Sequence, residues 1–456
     1  MSNMLERVKS WDPHEIAARP AVQQLWDKGL LWSLAHRRSF KYPMGVPIPN
    51  DDFFNYEPRE MVPITDEEIA IMCWCAAGTN GIIRNDLSFK QGAVIHPWFE
   101  GRVFPSACNV WTTHLVFFND EGTYRYIPHV PTQPVEIETK DDIWKIFQAF
   151  KDGLVQINDQ PLRIQGESPL AWKLNTPFIF KPGTVVFLPV TDLTFEFLNL
   201  LFHIYDQEKS IVVDDLSGGF DIAGVEKWVK DGTLNGLHTP LSYIETQVPA
   251  VVYSAGAFMI QNLCMAQAAL GLGGYPLGGY TTLILFGGTP FLKGLGFQYA
   301  SDKKGFPYPV GIPGHFHGHI PPFMTIEEAV RDLWEVRFKP DYGRYSPTVK
   351  EGQKVMYKGM FPEEREVHRP FKEELEYAQK VMPYSEKTLE MVIATAEYLY
   401  NKYGRLPALG DPFIAPTMVN ISHVDVKFYE KYAKEGSIWQ DHYDHFKTWH
   451  NGYEPK

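Results

Sequence analysis

Residues 253–280 read YSAGAFMIQNLCMAQAALGLGGYPLGGY, and this stretch decides the predicted fold. Ser254 can cap a helix, and residues 255–270 are mostly strong helix formers. We predict a helix over 255–270 that ends at the glycines and proline of 271–276, because glycine adopts left-handed geometry easily and proline cannot continue a helix. The apolar residues leave no wholly polar face, which is typical of a buried helix. The predicted helix is too short and too polar for a membrane span.

The residues that follow this helix, 275–280, are rich in glycine and contain Pro276. A core helix with a glycine-rich exit explains the helix but not this second part of the stretch. Because glycine has no side chain, such residues let a flat ligand approach the backbone closely. We therefore predict a ligand-contacting loop over 275–280.

The composition narrows the class of protein. The chain has 456 residues, is 44% hydrophobic and carries a net charge of −12. The length predicts two to three domains with a large core, and the negative charge gives no electrostatic support for binding nucleic acid or an anionic membrane. The four cysteines lack metal-knuckle spacing, which favours a reducing compartment. Because residues 1–15 are charged and contain no apolar stretch, we predict no signal peptide and expect a cytoplasmic protein.

A basic segment follows the helical pattern near the N-terminus. Residues 36–42 read HRRSFKY, in which Arg37, Ser39 and Lys41 alternate. In an extended segment these three side chains would point the same way. Two cations that flank a hydroxyl can hold a phosphate by charge-assisted hydrogen bonds, although a basic patch after a helix is also the usual solvated helix end.

Together the two stretches resemble the nitroreductase superfamily of FMN-dependent oxidoreductases. In that family the long helix packs in the core and at the dimer interface, the loop after it lies against the flavin ring, and an R-x-S-x-[RK] signature binds the FMN phosphate. The resemblance implies two groups of cofactor-binding residues: Arg37, Arg38, Ser39 and Lys41 at the phosphate, and Leu277, Gly278 and Gly279 at the ring. It also implies a homodimer.

A third block, residues 101–109, reads GRVFPSACN and precedes two strand patterns at 111–118 and 123–127 that predict a hairpin. The order is similar to the azoline-oxidising, thiazole-forming dehydrogenase branch of the superfamily, in which an R-x-x-PSAG segment enters a strand. The resemblance implies flavin-ring contacts from four residues: Pro105, Ser106, Ala107 and Asn109. Cys108 stands where the family has a small residue. A thiol there could react, although a free cysteine more often packs as a small hydrophobe.

Two groups of histidines allow a different chemistry. His315, His317 and His319 alternate, and on a strand they would share one face that could bind zinc, copper or iron. A second group lies near the C-terminus: His423, Asp425, His442, Asp444, His445 and His450. We favour the alternative that these side chains pack and hydrogen-bond, and predict no metal site. His315, His317 and Cys108 are the catalytic candidates, the histidines as proton donors to a flavin-bound substrate.

The remaining elements follow from apolar periodicity. Residues 131–250 form a variable insertion, with a strand at 184–190 and helices at 141–150 and 194–205. After the core helix, TTLILF at 281–286 predicts a strand, and YPVG at 308–311 resembles the family's final strand. Residues 323–456 lie outside the resemblance and predict a helical extension with helices at 325–336, 371–381, 385–403 and 423–432.

The predicted fold is α+β and nitroreductase-like: a mixed, mostly antiparallel sheet flanked by helices in residues 1–322, plus the C-terminal helical extension of residues 323–456. The expected function is FMN-dependent transfer of hydride or electrons to or from a small organic substrate. Gly278 replaces an acidic residue of many family members, so the electron donor could be NADH or NADPH, or the substrate itself. Two alternatives stay open: a catalytically silent scaffold that binds a partner, and a histidine-based metalloenzyme.

Overall fold

The computed structural model describes residues 3–48, 53–83, 99–128 apart from 107 and 109, 137–162, 178–278, 282–288, 294–337, 347–350, 354–357, 365–366 and 384–455. It has an α+β fold with antiparallel sheets flanked by helices and a largely helical C-terminal part, which confirms the predicted fold class. The helices are α1 Met4–Lys9, α2 Pro13–Ala17, α3 Pro20–Trp26, α4 Leu30–His36, α5 Asp66–Ala77, α6 Trp144–Gly153, α7 Thr194–Asp206, α8 Glu226–Lys230, α9 Leu241–Leu270, α10 Thr282–Phe286, α11 Ile326–Arg337, α12 Glu386–Tyr403, α13 Val426–Tyr432 and α14 Gln440–Trp449.

The strands are β1 Thr79–Ile83, β2 Phe99–Arg102, β3 Thr113–Asn119, β4 Gly122–Tyr126, β5 Leu154–Asn158, β6 Val185–Asp192, β7 Ile211–Asp214, β8 Asp221–Ile222, β9 His238–Pro240, β10 Gly273–Leu277, β11 Gln298–Ser301, β12 Pro307–Ile312, β13 Phe316–His317, β14 Pro347–Lys350, β15 Lys354–Tyr357, β16 Arg365–Glu366, β17 Phe413–Ile414 and β18 Met418–Ser422. The central sheet has the order β10-β18-β6-β3-β4-β5, with β17 also paired to β6, and all of its pairs are antiparallel. The pair β7 and β9 is parallel, which makes the protein's sheets mixed, as predicted.

The core helix α9 begins earlier than predicted. It spans Leu241–Leu270 and contains Pro249, so it starts well before residue 255. Ser254 is therefore not a cap, and its hydroxyl donates to the Val251 carbonyl oxygen inside the helix. Pro249 favours the prediction of a later helix start, because proline usually interrupts a helix. The predicted end is confirmed, since Gly271 caps α9 in the left-handed conformation.

By length and composition alone, α9 could cross a membrane, so the prediction that it is too short and too polar for a membrane span is wrong. The core helix of a soluble protein passes the same test. In this fold α9 packs against α5, α7, β6 and β18. Its buried residues belong to two of the core clusters, and its most apolar window is 44% buried within the chain.

Two predicted elements next to α9 are wrong. Residues 275–277 form part of strand β10 rather than a loop, and residues 282–286 form helix α10 rather than a strand. Strand β10 pairs along its whole length with β18, which comes from the far end of the sequence. Gly274 is needed for this pairing, because a Cβ there would lie 2.4 Å from the Asn420 carbonyl oxygen. The short apolar run of α10 fits either helix or strand by its pattern.

The two faces of the central sheet are covered by different cores. Val419 and Ile421 of β18 belong to the core under α5, α6 and α9, whereas Met418 belongs to the core on the opposite face with Tyr275 and Leu277. This alternation is the normal period of a strand. A third core joins α7, the start of α9, α11 and α12. The predicted hairpin at 111–127 is confirmed as β3 and β4.

The C-terminal extension contains four helices, and it also supplies the five strands β14 to β18 among its described residues. Helices α11, α12 and α13 match three predicted helices, while the helix predicted at 371–381 lies outside the described residues. Strand β18 lies in the central sheet between β10 and β6. This strand was not predicted from the sequence. The domain boundary near residue 322 stays a prediction.

Candidate functional site

The basic segment, residues 37–41, follows directly on α4, has no regular secondary structure and is extended at Arg37. The Arg38 guanidinium lies 5.3 Å from the ring centroid of Trp439, and the Phe40 ring lies 4.8 Å from that of His442. Arg37 interacts with the Cys264 thiol of α9.

Lys41 lies close to the glycine-rich strand. Its Nζ is 5.5 Å from the ring centroid of Tyr275 in β10. Arg37 is therefore next to the core helix and Lys41 next to the glycine-rich strand, whereas Arg38 and Phe40 contact residues at the start of α14. Ser39, between them, is exposed.

Backbone hydrogen bonds hold the basic segment against the end of α9. The Phe40 N–H donates to the Gly274 carbonyl oxygen at 2.9 Å, and the Gln267 side-chain amide donates to the Arg38 carbonyl oxygen at 3.2 Å. The two stretches that the sequence analysis singled out are therefore brought together. Gly278 is exposed just after β10, where an added Cβ would lie 3.3 Å from the Pro416 carbonyl oxygen. Leu277 is buried in the core, and Gly279 lies outside the described residues.

The block around Ser106 also lies beside α9. The Asn262 side-chain amide of α9 donates to the Val103 carbonyl oxygen at 3.0 Å. The Arg102 guanidinium donates to the Ser106 hydroxyl and lies 3.8 Å from the ring centroid of Trp111. Four further residues of this block are candidates from the sequence. Pro105 and Cys108 are exposed, and Ala107 and Asn109 lie outside the described residues. The flavin-binding role of all these residues stays a prediction.

One of the three alternating histidines, His317, lies in a described strand. Strand β13 covers only Phe316–His317, and the buried Asp192 carboxylate interacts with both His317 and His319. His317 stacks on Phe323, and the His319 Nε2 lies 3.0 Å from a carboxylate oxygen of Asp332. The His315 backbone carbonyl accepts a hydrogen bond from Arg125, and burial lowers the pKa of the His315 ring.

The second histidine group is only partly brought together. Four side chains form what we call the histidine–glutamate cluster: Glu68, His423, His445 and His450. Their four potential ligand atoms lie within 4.8 Å of one another. His442 stands apart and bonds to the Gly271 carbonyl oxygen through Nδ1. Asp425 instead accepts from the Tyr56 hydroxyl and caps α13, and Asp444 accepts from Gln440.

Glu68 is the member that the sequence analysis missed. It lies in the first turn of α5, where the capping-box pattern with Thr65 already explains an acidic residue. Burial alone would raise the pKa of Glu68, but the imidazoles of His445 and His450 outweigh this effect and hold the pKa well below its usual range. Burial lowers the pKa of His423 to about 3. No local pattern links Glu68 to residues near the C-terminus, so only the fold reveals the cluster.

Comparison with known proteins adds no argument about the fold or the function. No protein-family model matches the chain, and no curated protein matches it in a sequence search. Among solved structures, five chains match. One is the crystal structure of a candidate nitroreductase from Ralstonia eutropha JMP134, 14% identical, with 55% of this chain and 70% of that chain covered and a TM-score of 0.25. A TM-score this low is too small for the likeness to support a statement about function.

Proposed function

We propose that this chain binds FMN beside the basic segment and strand β10, and that it acts as an FMN-dependent oxidoreductase on a small organic substrate. One observation carries the proposal. Arg37 interacts with Cys264 of α9 and the Lys41 Nζ lies 5.5 Å from the Tyr275 ring of β10, so the two cations lie next to the two elements that resemble the family's flavin site. The proposal also draws on the resemblance of both stretches to the nitroreductase superfamily.

The donor set of the basic segment suits a phosphate group. It combines a guanidinium, an ammonium and a hydroxyl within residues 37–41, in a chain whose net charge is −12. Charge-assisted hydrogen bonds from such groups to phosphate are about twice as strong as neutral ones. Gln267 and Gly274 fix the backbone of the segment, so these donors are held in place before a ligand arrives.

The ring of the cofactor would lie toward Ser106 and Gly278. FMN supplies the hydride or electron transfer when it is bound, and the protein positions the ring and excludes water around it. The absence of a side chain at Gly278 leaves the backbone after β10 accessible on its exposed side. His315, His317 and Cys108 stay candidates for a catalytic role, and NADH, NADPH or the substrate for the electron donor.

A homodimer is part of the proposal. Helices α4 and α9 pack against each other, and both carry large exposed apolar side chains. Leu30 and Leu31 on α4 are 64% and 81% exposed, and Phe258 on α9 is 42% exposed. Exposed apolar side chains on neighbouring elements are typical of an interface with another protein.

A titration of the flavin-free protein with FMN tests the proposed phosphate site. The double variant Arg37→Ala/Lys41→Ala removes two charge-assisted contacts, each worth about 1.5–3 kcal/mol, so we expect Kd to rise by about 100-fold or more. The matched control is Lys227→Ala/Arg331→Ala, which removes the same two charge types from exposed positions elsewhere. Equal FMN affinity in both variants would contradict the proposed site. If the unmodified chain also fails to bind FMN, the result would favour the silent scaffold.

A further inference from the structure

The histidine–glutamate cluster joins three distant parts of the chain. Glu68 comes from the first turn of α5, His423 directly follows β18, and His445 and His450 lie on and just after α14. The first three are 0%, 1% and 2% exposed. The side chain of His450 is 10% exposed. The flavin proposal uses none of these side chains.

We propose that the histidine–glutamate cluster binds one divalent transition-metal ion, with Zn²⁺ as the best match. The ligands would be the Nε2 atoms of the three histidines and the Oε1 atom of Glu68. The ion would fasten α14 and β18 of the C-terminal extension to α5.

The separations between the ligand atoms fit a tetrahedral ion. Glu68 Oε1 lies 3.0 Å from His445 Nε2 and 3.8 Å from His450 Nε2, and the Nε2 atoms of His423 and His450 are 3.1 Å apart. Zinc bonds of about 2.0–2.1 Å place neighbouring tetrahedral ligands about 3.3 Å apart. These three separations lie on both sides of this value, and all six lie within 4.8 Å, so side-chain movements that draw the atoms together would complete the coordination.

Backbone carbonyls orient two of the histidines toward the centre. The Nδ1 atom of His423 lies 2.8 Å from the Val62 carbonyl oxygen, and that of His445 lies 2.8 Å from the Leu270 carbonyl oxygen. A carbonyl can only accept, so Nδ1 carries the proton in both rings and a neutral ring has its lone pair on Nε2. Zinc-bound histidines typically have this arrangement, in which the far nitrogen donates to a backbone carbonyl or a carboxylate.

The carboxylate of Glu68 is oriented in the same way. Its Oε2 accepts two hydrogen bonds of 2.8 Å from the backbone N–H and the hydroxyl of Thr65. Its Oε1 is buried and has no hydrogen-bond partner of acceptable geometry among the described residues, and the same is true of the His445 Nε2 that lies opposite. Two electron-rich atoms 3.0 Å apart need a cation or a proton between them.

The type of site follows from the ligand set. Three imidazoles and one carboxylate suit Zn²⁺ and, by the same ligand chemistry, Co²⁺ or Ni²⁺. Four protein ligands fill a tetrahedral shell and leave no open position, which is typical of a structural site rather than a catalytic one. The proposal is independent of flavin binding.

A metal-free alternative exists for the same geometry. The His445 ring could carry a second proton and pair with Glu68, while His450 donates to His423. Such a network would be a buried ion pair that needs no metal. Because it uses the same atoms, only direct detection of the metal separates the two arrangements.

The test combines metal analysis with Co²⁺ substitution on the full chain. We expect about one equivalent of metal per purified chain, and a tetrahedral Co²⁺ absorption spectrum after removal of that metal and titration with Co²⁺. His423→Ala and His450→Ala should abolish both signals. Glu68→Gln should weaken metal binding by roughly tenfold or more while its amide oxygen still accepts from Thr65.

The matched control is His442→Ala. His442 is also buried on α14 and also bonds to a backbone carbonyl through Nδ1, but it lies outside the cluster. This variant should keep the metal and the Co²⁺ spectrum. A folded wild-type chain without stoichiometric metal and without a tetrahedral Co²⁺ spectrum would overturn the proposal. If the alanine variants fail to fold, the Co²⁺ titration of the wild-type chain alone decides between the two results.

Discussion

The basic segment and the histidine–glutamate cluster contact the same C-terminal elements but differ in how they are held. In the basic segment, the backbone is fixed and two of the polar side chains, Arg38 and Ser39, are exposed. In the cluster, the side chains themselves are fixed, by the carbonyls of Val62 and Leu270 and by Thr65, away from solvent. An accessible set of donors suits a ligand that binds from solution. A buried set of ligands suits an ion that stays bound and stabilises the fold.

The largest difference should appear in stability. His423→Ala removes a buried side chain from the cluster and leaves the Val62 carbonyl oxygen without its donor, so we expect the free energy of unfolding to fall by about 3–5 kcal/mol. Lys41→Ala removes a half-buried charge and should cost less than about 1 kcal/mol. Urea unfolding measures both values. Similar losses of unfolding free energy in the two variants would contradict the proposed difference between the cluster and the basic segment.

Removal of the metal should lower the Tm only of chains in which the histidine–glutamate cluster is intact. An ion that binds only the folded state stabilises it by about 2.7 kcal/mol when present at 100 times its Kd. A strong chelator should therefore lower the Tm of the wild-type chain and of His442→Ala, and should leave the Tm of His450→Ala unchanged. Calorimetry with and without chelator makes the comparison. A chelator effect of equal size in His450→Ala would place the metal elsewhere.

Two glycines near the basic segment should have different roles, Gly274 in strand pairing and Gly278 in access of the ligand. Gly274→Ala would place a Cβ 2.4 Å from the Asn420 carbonyl oxygen, so we expect a loss of about 1–3 kcal/mol in unfolding free energy. Gly278→Ala meets its nearest atom at 3.3 Å on an exposed position and should change stability by less than about 0.5 kcal/mol. Under the flavin proposal, Gly278→Ala should instead weaken FMN binding. If Gly278→Ala loses stability but keeps its affinity for FMN, Gly278 is not part of the flavin site.

A substitution on the exposed surface of α4 should have the smallest effect on stability. Leu31→Glu should change the unfolding free energy by less than about 0.5 kcal/mol, because the side chain is 81% exposed. It should nevertheless convert the proposed homodimer to a monomer in sedimentation experiments. Phe220→Glu, on a side chain that is 76% exposed and belongs to neither α4 nor α9, serves as the control. If the wild-type chain is already monomeric, the proposed homodimer is wrong.

The contrast also explains which features could be predicted from the sequence. The end of α9 at Gly271 and the hairpin of β3 and β4 are encoded by neighbouring residues, and the structure contains both. Strand β10 and the role of Glu68 depend on partners from the C-terminal extension. A single sequence gives no information on such distant pairing, because local propensity ignores it.

One error and one omission have the same physical origin. The early start of α9 at Leu241 overrides the local effect of Pro249, because packing against neighbouring elements stabilises the added turns. The contact of the histidines at 423, 445 and 450 with Glu68 was not predicted, since this carboxylate is far from them in the sequence and only the fold brings it to them. In both cases tertiary contacts decide what the local sequence leaves ambiguous.

The central claim is that the basic segment and the glycine-rich strand form a flavin site. The visible absorption spectrum of the purified full chain tests it most directly, with chromatography of the molecule released on unfolding. The account predicts a flavin spectrum and the release of about one equivalent of FMN per chain. A colourless folded protein that leaves the fluorescence of added FMN unchanged would contradict it.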